Sequence, residues 1–104
     1  MSGALSVVRK DGLVTIAIDG FFDAYLVNDF HRAYKPLEPE DRKIIVDLEY
    51  TESLDSAALG MLIHMHKNLE ETRIGKVRII NCNEKLRKVF RIMQFERLFS
   101  IESV

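Results

Sequence analysis

The stretch from Lys43 to Thr72 limits the possible folds of this chain more than any other. Lys43-Ile44-Ile45-Val46-Asp47-Leu48 is a short apolar run rich in β-branched residues, which marks a buried strand. Ala57 to Thr72 is long and rich in Ala, Leu and Met, which marks a helix. Between them, Glu49 to Asp55 is polar and carries three acids, and reads as a loop. Strand, loop and helix thus meet at Asp55-Ser56, where the helix begins.

The flanking segments fit a sheet built around that unit. Leu5 to Arg9 and Leu13 to Ile18 are β-rich, and Asp11-Gly12 between them favours positive φ, as a tight hairpin requires. Asp19-Gly20 then breaks the strand. Leu26, Val27, Phe30, Ala33 and Tyr34 recur at helical spacing, and Pro36 and Pro39 stop that helix. Gly75 reads as the cap of the central helix, and Lys76 to Ile80 alternates as a further strand. Asn81 or Asn83 opens a last amphipathic helix carrying Leu86, Val89, Phe90 and Met93. Phe95 to Val104 reads as a helical turn and a tail packed on the domain. Strands that pair in a hairpin, with others joined through helices, make an α/β fold: a mixed β-sheet of four or five strands covered by helices. The 104 residues form one domain, 1–104.

Composition excludes several functions. The formal net charge of −1 gives no field to gather nucleic acid or an anionic membrane. No apolar run approaches the ~20 residues that cross a bilayer, and Met1-Ser2-Gly3-Ala4 has no secretory character. The lone Cys82 rules out an internal disulfide and reads as a buried small hydrophobe in a reducing compartment, so a cytoplasmic protein is expected. His64 and His66, two apart on a helix, face different ways, and His31 is isolated in the first helix, so no metal site is expected. No cofactor-binding motif is present.

On the central helix, His64, Lys67, Asn68 and Glu71 share a polar stripe that runs back to Gly60 and Ala57, leaving tiny side chains beside Ser56. A glycine inside a helix costs roughly 1 kcal/mol relative to alanine. Gly60 therefore either packs closely against a neighbouring element or lets a partner's backbone approach. Asp55-Ser56 also has two readings. Either side chain could cap the helix. Alternatively, Ser56 is a phosphoacceptor, since a helix N-terminus favours an anion and the fold need not open to hold one. A phosphate would add about −1.5 to −2 charges. Against one acid of a partner at ~4 Å, each charge is worth about 1 kcal/mol in water and about 4 where partly dry. A nucleophilic serine is disfavoured because Asp-Ser-Ala-Ala lacks the Gly-x-Ser-x-Gly elbow and no histidine is placed to activate it.

Ile45-Val46-Asp47-Leu48, Leu54-Asp55-Ser56, Leu59-Gly60 and the earlier Gly20-x-x-Asp23 resemble the STAS domain of bacterial anti-sigma factor antagonists, in their order and over nearly the whole length. The family pattern is an Asp-Leu strand end, a loop and Asp-Ser-[Ser/Thr]-Gly-Leu-Gly. Ala57 and Ala58 depart from it, and Phe21 stands where the family has an acid, as in its proteobacterial branch. The resemblance implies a STAS fold and a non-enzymatic partner-switching module in transcription regulation and signal transduction. It places the phosphoacceptor at Ser56. It also implies that the unphosphorylated form binds an anti-sigma factor or serine kinase, that phosphorylation releases it, and that a serine phosphatase, in some relatives fused to a response regulator, resets the switch. Asp23 and Asp55 are carried over as recognition residues, and Ala57, Gly60 and His64 complete the expected partner-binding face. A monomer is expected. The alternatives are a STAS-like domain binding a small ligand or nucleotide, and a scaffold in which Ser56 is only a cap.

Overall fold

The structure is a computed structural model that describes residues 3–103. Strands β1 (Ala4–Lys10) and β2 (Leu13–Phe22) form the expected hairpin, with Asp11 at φ 52° and Gly12 at φ 82° in its turn. A 3-10 turn at Ala24–Leu26 leads into α1 (Val27–Tyr34), which ends just before Pro36. Then come β3 (Lys43–Asp47), β4 (Thr51–Leu54), α2 (Ser56–Leu69), β5 (Arg78–Cys82), α3 (Glu84–Ile92), a second 3-10 turn at Phe95–Arg97, and β6 (Ser100–Ser103).

The sheet is mixed and runs β1-β2-β3-β5-β6, with β4 also paired to β2. Only β1–β2 is antiparallel; the other pairings are parallel. Six strands are thus present where four or five were expected, and both additions come from tertiary pairing. The polar stretch read as a loop contains β4, which lies along the end of β2 from Gly20 to Phe22. Asp19-Gly20 does not break β2. Gly20 adopts φ 88°, which a residue with a Cβ rarely takes, and the register shifts there while the strand continues. The segment read as a helical turn and a packed tail has that turn and then ends in β6, parallel to β5. Gly75 caps nothing: α2 stops at Leu69, and Gly75 has no positive φ.

Val14, Ile16, Ile18, Ile44, Val46 and Ile79 on the sheet meet the apolar stripes of all three helices in one core. From α1 come Phe30, Ala33 and Tyr34; from α2, Ala58, Met61, Leu62, Met65 and Leu69, spaced as the buried face of an α-helix must be. Each large apolar side chain fully buried in this way contributes about 1.5–3 kcal/mol. No described helix is long and apolar enough to cross a membrane.

Candidate functional site

The start of α2 is fixed by the parallel register. Phe22 and Leu54 pair at the ends of β2 and β4, and the Asp55 amide donates to the Phe22 carbonyl at 3.3 Å. The residues that follow, Asp23 and Asp55, therefore leave the sheet side by side. Each becomes a cap. The Asp23 carboxylate accepts from the Tyr25 amide at 3.1 Å and opens the 3-10 turn. Asp55, with extended backbone, accepts from the Ala58 amide at 3.0 Å and opens α2. Of the two candidates for the cap, the structure selects Asp55. Ser56 is the first helical residue and is exposed.

Two further hydrogen bonds brace this pole of the molecule. The buried Thr51 hydroxyl donates to the Ile18 carbonyl at 2.6 Å, pinning β4 to β2. The Asn83 amide group donates to the Thr51 carbonyl at 3.3 Å, while its oxygen accepts from the Leu86 amide at 2.8 Å and caps α3. Asn83, not Asn81, is the cap, and it draws the start of α3 toward β4. Because β2 to β6 run in parallel, their C-terminal ends gather exposed acids at this pole, among them Asp19, Glu49, Glu52, Asp55 and Glu84. Phe21, Tyr25 and Tyr50 are exposed between them.

Close packing does not explain Gly60. A Cβ built there meets nothing within 4 Å. Gly60 instead lines an open groove of about 420 Å³ between α1 and α2, with Ala57, Met61 and His64 on one side and Val27, Phe30 and His31 among the residues on the other. The expected face of small residues therefore exists, as one wall of a cleft one turn beyond Ser56. The opposite wall was missed, because Val27 and Phe30 at helical spacing read equally well as core. Phe30 is buried, but Val27 is half-exposed at 48%. The picture of His31 as isolated is also overturned: its ring lies 5.8 Å from that of His64, and its Nε2 is buried without a hydrogen-bond partner. Sequence spacing within one helix carries no signal for a pair formed across two.

Burial shifts two further groups. Burial pushes the Cys82 thiol up, opposed by Arg87, and burial raises the Tyr34 phenol, opposed by its hydrogen bond with Asn68. His66 packs edge-on against Phe99 at 5.9 Å, away from His64. Among the described residues, no cluster of three or more histidine, cysteine or acidic side chains is placed to hold a metal.

The chain belongs to the STAS domain family, whose model matches residues 4–104. It is 39% identical over 90 residues to a STAS-domain containing protein of Pseudomonas aeruginosa, covering 85% of this chain and 86% of that one. Solved structures of several proteins share the fold. An anti-sigma factor antagonist from Mycobacterium paratuberculosis superposes with a TM-score of 0.78 at 17% identity, covering 99% of this chain and 87% of that one. The Bacillus cell fate determinant SpoIIAA in its phosphorylated form gives 0.69 at 19% identity, covering 94% and 90%. A sulfate transporter family protein from Wolinella succinogenes gives 0.78 at 14% identity, covering 91% and 80%. At these identities the likeness establishes the fold.

Proposed function

We propose that the chain is an anti-sigma factor antagonist, a non-enzymatic module whose docking surface is switched by phosphorylation of Ser56. Unmodified, it binds an anti-sigma factor or a serine kinase through Ser56, Ala57, Gly60 and His64, with Asp23 and Asp55 at the rim. Phosphorylation releases that partner, and a serine phosphatase resets the cycle. The observation that carries this reading is the division of labour at the start of α2: Asp55 caps the helix, leaving the Ser56 hydroxyl exposed. The likeness of fold to the anti-sigma factor antagonist from Mycobacterium paratuberculosis and to SpoIIAA in its phosphorylated form supports it by analogy.

The fold tolerates the charge. An anion in the first turn of a helix is stabilised by about 0.3–1 kcal/mol through the aligned peptide dipoles. The partner does not. Release comes from bulk and desolvation: a partner face fitted to a bare hydroxyl has neither the room nor a cation for a phosphate. Stripping water from a phosphate pressed against the small residues of α2, with no cation positioned to receive it, costs several kcal/mol. Four kcal/mol corresponds to roughly a thousandfold in Kd.

The test has two parts. Intact-mass analysis of the protein from its native cell, with and without phosphatase, should show one phosphate mapping to Ser56. Co-purification should then recover the same regulator with the unmodified chain and with Ser56→Ala, and lose it with Ser56→Asp. Equal recovery by Ser56→Ala and Ser56→Asp would sink the switch and leave a constitutive scaffold.

A further inference from the structure

We propose that the groove between α1 and α2 is a binding site for a small organic carboxylate with an apolar body. Its volume of about 420 Å³ lies within the range of small-molecule sites, and so does its chemistry: apolar walls with a few convergent polar groups. Phe30, Met61 and Val27 supply the apolar surface. No Asp, Glu, Lys or Arg lines the groove. His31 and His64 are its only side chains able to carry positive charge, and they stand on opposite walls with rings 5.8 Å apart. A cation would find no counter-charge there. An anion with two oxygens would find two imidazoles, each able to donate an N–H.

Two features of the walls lack an explanation within the chain itself. The Nε2 of His31 is sealed from solvent and has no hydrogen-bond partner, a destabilised condition that a small turn of the ring toward a carboxylate in the groove would relieve. Gly60 holds open a wall of the groove although a Cβ there would touch nothing, so neither packing nor backbone conformation demands glycine. Both are accounted for by a ligand whose carboxylate lies between His31 and His64 and whose body rests on Phe30 and Met61 alongside the bare backbone at Gly60. The site shares Ala57, Gly60 and His64 with the surface proposed above for a protein partner, but ligand binding requires no phosphorylation.

The test is an NMR titration of the isotope-labelled full chain with benzoate, and with benzylamine as a probe of the same ring and opposite charge. Benzoate should produce saturable shifts of the Gly60 amide and of both imidazoles. A probe of about nine heavy atoms at ordinary ligand efficiency gives a Kd of order 10 mM. Benzylamine should give no saturable change. Gly60→Leu, which fills the groove from a position with free space, should weaken benzoate at least tenfold. His64→Ala, at an exposed position, should weaken it severalfold even if Gly60→Leu fails to fold. Absence of saturable benzoate shifts, equal binding of benzylamine, or binding unchanged in both variants would overturn the proposal. No kinase or partner is present in this titration, so its failure would leave the Ser56 switch standing, and failure of the switch would leave this site standing.

Discussion

Replacing Gly60 by alanine should make the fold more stable and the protein a poorer binder. Gly60 is the fifth residue of the 14-residue helix α2, and a Cβ at this position meets no atom within 4 Å. The new methyl therefore meets no steric resistance, and the backbone gains the helical preference of alanine over glycine, about 0.8–1 kcal/mol. For a chain of this size that raises Tm by about 4 °C or more. Urea denaturation followed by circular dichroism should show a higher midpoint at unchanged slope, because the surface exposed on unfolding barely changes. On the proposed docking surface the same methyl would meet the backbone of the partner. Overpacking of that kind costs about 1–3 kcal/mol, or roughly ten- to a hundredfold in affinity. A Gly60→Ala protein less stable than the parent would refute the reasoning, for it would mean that the fold itself requires the glycine.

Two further outcomes follow from the same geometry. Asp55→Ala should cost about 1 kcal/mol through loss of the cap on the Ala58 amide, while Ser56→Ala should stay within about 0.5 kcal/mol of the parent; a larger loss for Ser56 in denaturation would reverse the assignment of the cap. Cys82 should react slowly with a thiol reagent in the native protein and rapidly in urea, because burial keeps the thiol protonated. Since the raised value belongs to the folded state, its contribution to stability is complete below the ordinary thiol range and declines as pH climbs through that range toward the raised value. A Cys82→Ala protein should lack that part of the alkaline decline.

Local chemistry was enough to reveal much of this protein. The alternation of Val14, Ile16 and Ile18, the Asp11-Gly12 turn, the apolar stripe of α2 and the break at Asp55-Ser56 are each written into a few neighbouring residues, and the elements they define are present. What they left open is what depends on residues far apart in the chain. Thr51 to Leu54 has no strand signature of its own and becomes β4 only because the end of β2 offers unpaired backbone groups to it. Ser100–Ser103 becomes β6 against β5 in the same way. The choice of Asp55 over Ser56 as cap rested on a difference in orientation of one residue. The pairing of His31 with His64, and the groove that Gly60 lines, required α1 to be laid beside α2. Periodicity reports which side of an element is apolar, because that property repeats along one chain segment; a groove belongs to the space between two segments, and only their packing creates it.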